Sequence, residues 1–331
     1  MENREYTAAE ACERMDRLGS RRQPFLFVAD YALRRCRIFP GPSVDARQVR
    51  FRFGTATNDT AEPALRTGEP LEWEPSPCTY ETYAEAFGRV TEHLRRGDSY
   101  LVNLTCSTPV RCNRSLDELY ERSEAKYKLL LDGRFLALSP EIFVRIAPDG
   151  TIASFPMKGT VDATLPEAER RILSDPKEAA EHATITDLIR NDLSRVAEEV
   201  SVVRYRYIDR VETHRGALLQ VSSEISGRLP GDWRSRVGSI LFELLPAGSV
   251  TGAPKRRTLE IIDEAENYDR GYYTGVAGWF DGERLDSGVL IRCLERTPDG
   301  LRFKSGGGIT AKSDCAAEYR EMIEKVYVPL R

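Results

Sequence analysis

Histidine is scarce in this 331-residue chain, and its 3 residues, His93, His182 and His214, lie too far apart to form a metal-ligand pattern. The 7 cysteines (Cys12, Cys36, Cys78, Cys106, Cys112, Cys293, Cys315) are odd in number and contain no C-x-x-C pair. A zinc ribbon and a paired disulfide framework are excluded, and the thiols read as reduced and mostly buried. No basic block stands out, because 48 lysines and arginines face 52 acidic residues for a net charge of -4. Nothing therefore indicates nucleic acid or an anionic membrane as partner, and a small-molecule substrate is expected. No apolar run approaches the ~20 residues of a membrane span, and Met1–Arg22 is charged and lacks the apolar core of a signal peptide. A cytoplasmic protein is expected. Internal repeats, low-complexity tracts and long charge runs are absent as well.

What is present is a chain long enough for one large domain or two ordinary ones, with ample apolar content for a core. Residues 25–30, 36–39 and 49–53 read as strands, and the proline-rich stretch from Pro63 to Pro77 as an extended connector. Tyr83, Phe87, Val90 and Leu94 share one helical face that Gly97 ends. Ser115 with Glu118 forms a capping box for a second helix. Strands follow at 99–104, 135–138, 142–146 and just before Lys158, then charged helix over 166–199 with a break at Ser174-Asp175-Pro176. Further strands are predicted at 202–211, 218–225, 272–280, 285–295 and 301–304. Helices are predicted around Trp233–Leu244, from Pro254 as first helical residue, and over 313–328. Strands and helices that do not alternate regularly indicate an α+β fold rather than a doubly wound sheet.

Several groups could carry chemistry. Lys158, flanked by Pro156 and Gly159 at the mouth of a strand, has a constrained backbone and a potentially nucleophilic amine, although a lone lysine is ordinarily a surface residue. Glu178 with Glu181 and Glu318 with Glu321 are i, i+3 pairs, each on one face of its helix. Alone each is an ordinary solvated acidic face; together they would form a hard oxygen site suited to Mg²⁺. Lys325 lies one turn beyond Glu321, as an ion-pair partner or as a contact for a substrate carboxylate. Gly306-Gly307-Gly308 would let backbone N–H groups approach an anion, or simply mark a flexible turn, and lacks the Walker and dinucleotide spacings. Glu141 would serve as a general acid if desolvated, and is otherwise an exposed carboxylate at a strand start.

These stretches together resemble the chorismate-utilising enzyme family, which contains anthranilate, aminodeoxychorismate, isochorismate and salicylate synthases. The resemblance runs from about Tyr80 to the C-terminus. Its ordered blocks include Gly97-Asp98-Ser99-Tyr100, Ser139-Pro140-Glu141, Pro156-Met157-Lys158-Gly159-Thr160, Glu181-His182 and Asp187–Asp192. They continue through Gly248–Lys255, Arg270–Gly275, Ile291-Arg292, Gly306-Gly307-Gly308 and Glu318-Tyr319-Arg320-Glu321. The resemblance implies two facing β-sheets wrapped by helices in a single catalytic domain, with 1–78 a shortened N-terminal part and 79–331 the motif-bearing core. It implies that Glu181 and Glu321 bind Mg²⁺ with Glu178 and Glu318 nearby. Tyr273 and Arg292 would hold the enolpyruvyl carboxylate, and Gly307, Gly308 and Lys325 the ring carboxylate. Thr251 lies in a substrate-binding block, and Glu141 would protonate the departing C4 hydroxyl.

Within the family, a lysine in Pro-x-Lys-Gly-Thr resembles the aminodeoxychorismate synthases, where it is thought to attack C2 of chorismate before ammonia enters at C4. Its amine must be neutral to attack, and a depressed pKa is expected from Mg²⁺ and desolvation. Leu101 stands where isochorismate and salicylate synthases carry a water-activating lysine, and aminodeoxychorismate synthases often have glutamine there. Leu218-Leu219-Gln220 lacks the histidine of anthranilate-forming members. The resemblance thus implies amination of chorismate with ammonia from a separate glutamine amidotransferase subunit, with no fused lyase or glutaminase in this chain. The short N-terminal part puts a feedback tryptophan site in doubt. Anthranilate synthase component I, or an isochorismate-type enzyme, is the alternative.

Overall fold

The computed structural model describes residues 4–42, 44–59, 70–123, 125–139, 141–213 and 216–330, so His214, Pro140 and the start of the expected connector lie outside it. Two nine-stranded sheets dominate the described residues, and every strand pairing in them is antiparallel. The first sheet runs from Met157–Asp162 through Gly216–Arg228, Thr151–Ser154, Ile142–Ile146, Leu285–Val289, Val276–Phe280 and Phe25–Ala29 to Cys36–Pro40, with Glu198–Thr213 also paired to Gly216–Arg228. The second runs from Gly252–Ala253 through Leu101–Cys112, Gly300–Ile309, Cys293–Thr297, Phe135–Ser139, Tyr127–Leu131 and Val49–Phe53 to Ala56–Thr57, with Trp73–Pro75 added on Leu101–Cys112.

The period-two alternation of the strands sorts their side chains into layers. In Phe25–Ala29, Leu26 and Val28 point into the cluster between the sheets, where Phe51, Phe53, Leu129, Leu131 and Ala137 of the second sheet meet them. Phe25, Phe27 and Ala29 point the other way, onto the helices Ala8–Ser20, Pro176–Leu193 and Val237–Leu244. The second sheet is covered likewise by Tyr80–Arg96, Lys255–Ala265 and Cys315–Glu324 over one part, and by Leu116–Arg122 over another. Two facing sheets wrapped by helices are thus the α+β architecture the sequence indicated. The cysteines are all free, with Cys36 and Cys293 buried and the others half-buried. No helix among the described residues is long and apolar enough to cross a membrane.

Expectation and structure differ at several elements. The N-terminal stretch, read only as charged, contains the helix Ala8–Ser20, started by a capping box of Thr7 and Glu10. Tyr127–Leu131 is an additional strand whose interior lysine, Lys128, donates to the carbonyls of Tyr120 and Ser123. Pro254 is the N-cap rather than the first helical residue of Lys255–Ala265. The strand expected at 301–304 extends over Gly300–Ile309, so the three glycines are strand residues and not a turn. The strand expected at 285–295 is two strands, Leu285–Val289 in the first sheet and Cys293–Thr297 in the second.

That last difference positions the site. The chain passes directly between the sheets at two places: from Phe135–Ser139 to Ile142–Ile146, with Glu141 in the passage, and from Leu285–Val289 to Cys293–Thr297, with Arg292 in the passage. The passages are bonded to their neighbours, because Val289 N donates to the Glu141 carbonyl at 3.1 Å and Leu138 N to the Arg292 carbonyl at 3.3 Å.

Candidate active site

Lys158 is aimed by a break in its strand. The register of Met157–Asp162 against Gly216–Arg228 shifts between Met157 and Thr160, and Gly159 takes φ +81°, a conformation that favours glycine. The bulge places Lys158 Nζ 2.9 Å from Oε2 of Glu181, on the helix Pro176–Leu193. Glu178, one turn earlier on that helix, packs against the bulge: a Cβ at Gly159 would lie 2.7 Å from its Oε2. Burial alone would push the Lys158 amine down, but Glu181, Glu321 and Glu178 outweigh it and hold its pKa above the usual lysine value. The expected depression is therefore reversed in the chain by itself, because carboxylates, rather than a cation, surround the amine.

Across the cleft runs the glycine strand. A Cβ on Gly308 would meet Lys158 Nζ at 3.1 Å and Leu101 Cδ1 at 3.0 Å, so the amine and an apolar side chain flank bare backbone. A Cβ on Gly307 would meet Glu318 Oε2 and Lys325 Nζ at 3.6 Å and Glu321 Oε1 at 3.7 Å. Glu318 is buried on the helix Cys315–Glu324, and Lys325, its C-cap, bonds Glu321 at 2.7 Å and the Gly306 carbonyl at 3.0 Å. Lys158, Glu178, Glu181, Glu318, Glu321, Lys325, Gly307 and Gly308 are thus brought together.

The two passages add a second set. Glu141 is buried, and burial raises its pKa against the hydrogen bond donated by Ser249 and the fields of Lys158 and Lys325, leaving the carboxyl above its usual range. Arg292 adopts φ +52°, unusual for a side chain with a Cβ, and its guanidinium lies 4.4 Å from the Tyr327 ring. Its Nη1 is buried with no hydrogen-bond partner among the described residues, which suits a group that awaits an anion. Tyr273 is buried, and burial drives its hydroxyl far above the ordinary range. Thr251 is fully buried, with its hydroxyl donated to the Ala247 carbonyl at 2.8 Å and its own carbonyl taken by Asn103 N, so it shapes the turn behind the cleft.

Sequence reasoning missed Ser249, which lies in a quoted block but carries no local sign of its contact with Glu141. It also missed the buried Lys255–Asp192 pair at 2.8 Å, which ties the carboxylate-bearing helix to the helix after the turn. His182 is a core residue: its Nε2 meets Ser223 Oγ at 2.7 Å, and desolvation lowers its pKa to about 4. His93 sits between Asp98 and Glu264.

The donors near the cleft are carboxylate oxygens, which match a hard divalent cation such as Mg²⁺ and not a soft metal. Among the described residues no group of 3 or more His, Cys, Asp or Glu is gathered as a ready ligand set. The ammonium groups of Lys158 and Lys325 sit on Glu181 and Glu321 instead.

The sequence profile of the chorismate binding enzymes matches residues 41–331. The chain belongs to this family. It is accordingly an enzyme that acts on chorismate. An uncharacterised PabA-like protein of Pasteurella multocida is 45% identical over 318 residues, 96% of this chain and 98% of that protein. Aminodeoxychorismate synthase component 1 of Klebsiella aerogenes is 36% identical over 313 residues, 90% of this chain and 67% of that protein. The crystal structure of anthranilate synthase component I from Streptococcus pneumoniae matches with a TM-score of 0.66 at 26% identity, over 78% of this chain and 59% of that one.

Proposed function

We propose that the protein aminates chorismate at C4 to give 4-amino-4-deoxychorismate, with ammonia delivered by a separate glutamine amidotransferase subunit. The observation that carries this reading is the pair flanking Gly308: an amine at Lys158, and at Leu101 a side chain that cannot activate water. The relationship to aminodeoxychorismate synthase component 1 supports it.

Arg292 and Tyr273 hold the enolpyruvyl carboxylate, where the guanidinium offers a planar fork. Gly307, Gly308 and Lys325 receive the ring carboxylate. The Lys158 amine forms a bond to C2, both conjugated ring double bonds shift one position toward C4, and the C4 hydroxyl departs as water with a proton from Glu141. Ammonia then bonds to C4 while the C2–N bond to Lys158 breaks, restoring the amine. Glu181 and Glu321 would hold Mg²⁺, with Glu178 and Glu318 beside them, and the bound ion supplies Lewis-acid help to the leaving hydroxyl. Lys158 rests as an ammonium on Glu181, so it must give up a proton and leave that carboxylate before its nitrogen can attack.

Anthranilate synthase is the second reading, favoured by the Streptococcus pneumoniae match. Against it, the position opposite Thr160 in the neighbouring strand is Gln220, which cannot act as an imidazole base. An isochorismate-type activity is opposed by Leu101, and a non-catalytic chorismate-binding scaffold by the joint presence of Lys158, Glu141 and the carboxylates. Mass spectrometry of the product from chorismate, Mg²⁺ and an ammonium salt separates them. Aminodeoxychorismate without pyruvate is expected, and release of pyruvate with anthranilate would overturn the assignment.

A further inference from the structure

The cleft arginine has a neighbour whose place is fixed by the last stretch of the chain. Beyond Lys325 the backbone leaves the helix, and Val326, Val328 and Leu330 are buried in the outer cluster of the second sheet. Trp73 Nε1 donates to the Val326 carbonyl at 3.0 Å, and Leu330 forms a bridge with Ser123. Tyr327, between two buried valines, is carried to the Arg292 guanidinium, 4.4 Å from its ring centroid. The same short segment thus brings Lys325 to the glycine strand and Tyr327 to the arginine.

Arg292 needs such a support. It occupies a passage between sheets in a positive-φ conformation, its Nη1 lacks a hydrogen-bond partner among the described residues, and its remaining freedom would blunt a two-pronged grip on a carboxylate. A ring against the guanidinium favours one orientation through cation–π attraction and leaves the in-plane N–H donors open to an acceptor. We propose that Tyr327 is a positioning residue for substrate recognition, its ring holding the Arg292 fork toward the chorismate carboxylate. The inference rests on Arg292 being the carboxylate clamp.

The test measures KM and kcat for chorismate consumption, and chorismate affinity by calorimetry, in Tyr327→Phe, Tyr327→Leu, Arg292→Ala and the Tyr327→Leu/Arg292→Ala double variant. Tyr327→Phe should match the parent. Tyr327→Leu should raise KM and the dissociation constant roughly tenfold with kcat nearly unchanged, as expected for lost uniform binding. In the Arg292→Ala background the same change should add nothing. If Tyr327→Leu perturbs folding, ring-fluorinated phenylalanine at 327 keeps the shape and weakens the ring quadrupole, and should raise KM by itself. Unchanged KM in the leucine and fluorinated proteins, or equal effects with and without Arg292, would overturn the role of Tyr327. An Arg292→Ala protein that binds chorismate normally would instead overturn the reading of Arg292 on which it rests.

Discussion

Lys158 and Glu181 form an ion pair of 2.9 Å that joins a bulged edge strand to a helix, with 23% and 10% of their side chains exposed. Pairs so sheltered add little net stability, yet removing one partner strands the other charge. In the presence of a chelator, Glu181→Gln should therefore destabilise the protein by about 2 kcal/mol, less than the ~3–5 kcal/mol of a fully buried pair because Lys158 retains some exposure and still faces Glu321 and Glu178. The Glu181→Gln/Lys158→Met double variant should recover much of that loss. Denaturant unfolding of the parent and variants measures it, and strictly additive losses would show that the two charges are not coupled.

Glu321 is the companion case for metal dependence, because it lies beside Gly307 and Lys325 at a half-exposed position, where loss of one charge is tolerated. Glu321→Gln should abolish chorismate turnover with an unfolding midpoint close to the parent's, and EDTA should abolish turnover of the parent until Mg²⁺ is restored. Full turnover of either preparation would contradict a metal held by this helix.

Local signals were legible where the chemistry is local. Gly97 is the left-handed C-cap that ends Tyr80–Arg96, and Ser115 with Glu118 forms the capping box expected of them. The break at Ser174–Pro176 separates the helices Ala168–Ser174 and Pro176–Leu193. The same rule, applied to Thr7 and Glu10, would have found the first helix. The passage at Arg292 could not be read, since no glycine or proline there announces positive φ and the apolar residues on both sides look like one strand. Contacts such as Ser249 with Glu141, or Tyr327 with Arg292, depend on two sheets and a C-terminal segment converging, and no spacing in the sequence encodes them. The motif resemblance brought the candidate residues together on paper. The direction of the Lys158 pKa depended on which charges were present, and the surrounding carboxylates reversed it.

Arg292 offers a fork where Lys would offer a point charge. Arg292→Lys keeps the charge and should still raise KM for chorismate by roughly tenfold, because the planar, bidentate geometry is lost along with the guanidinium contact to the Tyr327 ring. Steady-state kinetics read this directly, and an unchanged KM would place the substrate carboxylate elsewhere.

Glu141 gives a pH signature. A general acid must hold its proton, so turnover should decline as pH rises through the elevated Glu141 pKa. The hydroxyl of Ser249 bonds the charged form and lowers that pKa, as do the fields of Lys158 and Lys325. Ser249→Ala removes the hydrogen bond and should move the alkaline limb of the kcat profile to higher pH, while Glu141→Gln should remove most turnover. A limb unmoved by Ser249→Ala would assign it to another group.

The covalent role of Lys158 is the most discriminating prediction, because the amine has two possible functions that geometry alone would allow. As a charge beside Glu181, Glu321 and Glu178, it would only balance the carboxylates. As a nucleophile, it must leave Glu181 and bond to C2 in a cleft where Gly308 presents no side chain to block it. Lys158→Ala separates the two. It should lose amination by roughly three powers of ten if the covalent route is used, each power being about 1.4 kcal/mol of barrier. Supplying chorismate and Mg²⁺ without ammonia should then leave a substrate-derived mass on the peptide containing Lys158 in the parent and none in the variant. Near-parental amination by Lys158→Ala, with no trapped mass, would mean that ammonia attacks chorismate directly and that the lysine is a charge-balancing neighbour. The choice of amination at C4 over the anthranilate reading would then lose its main support.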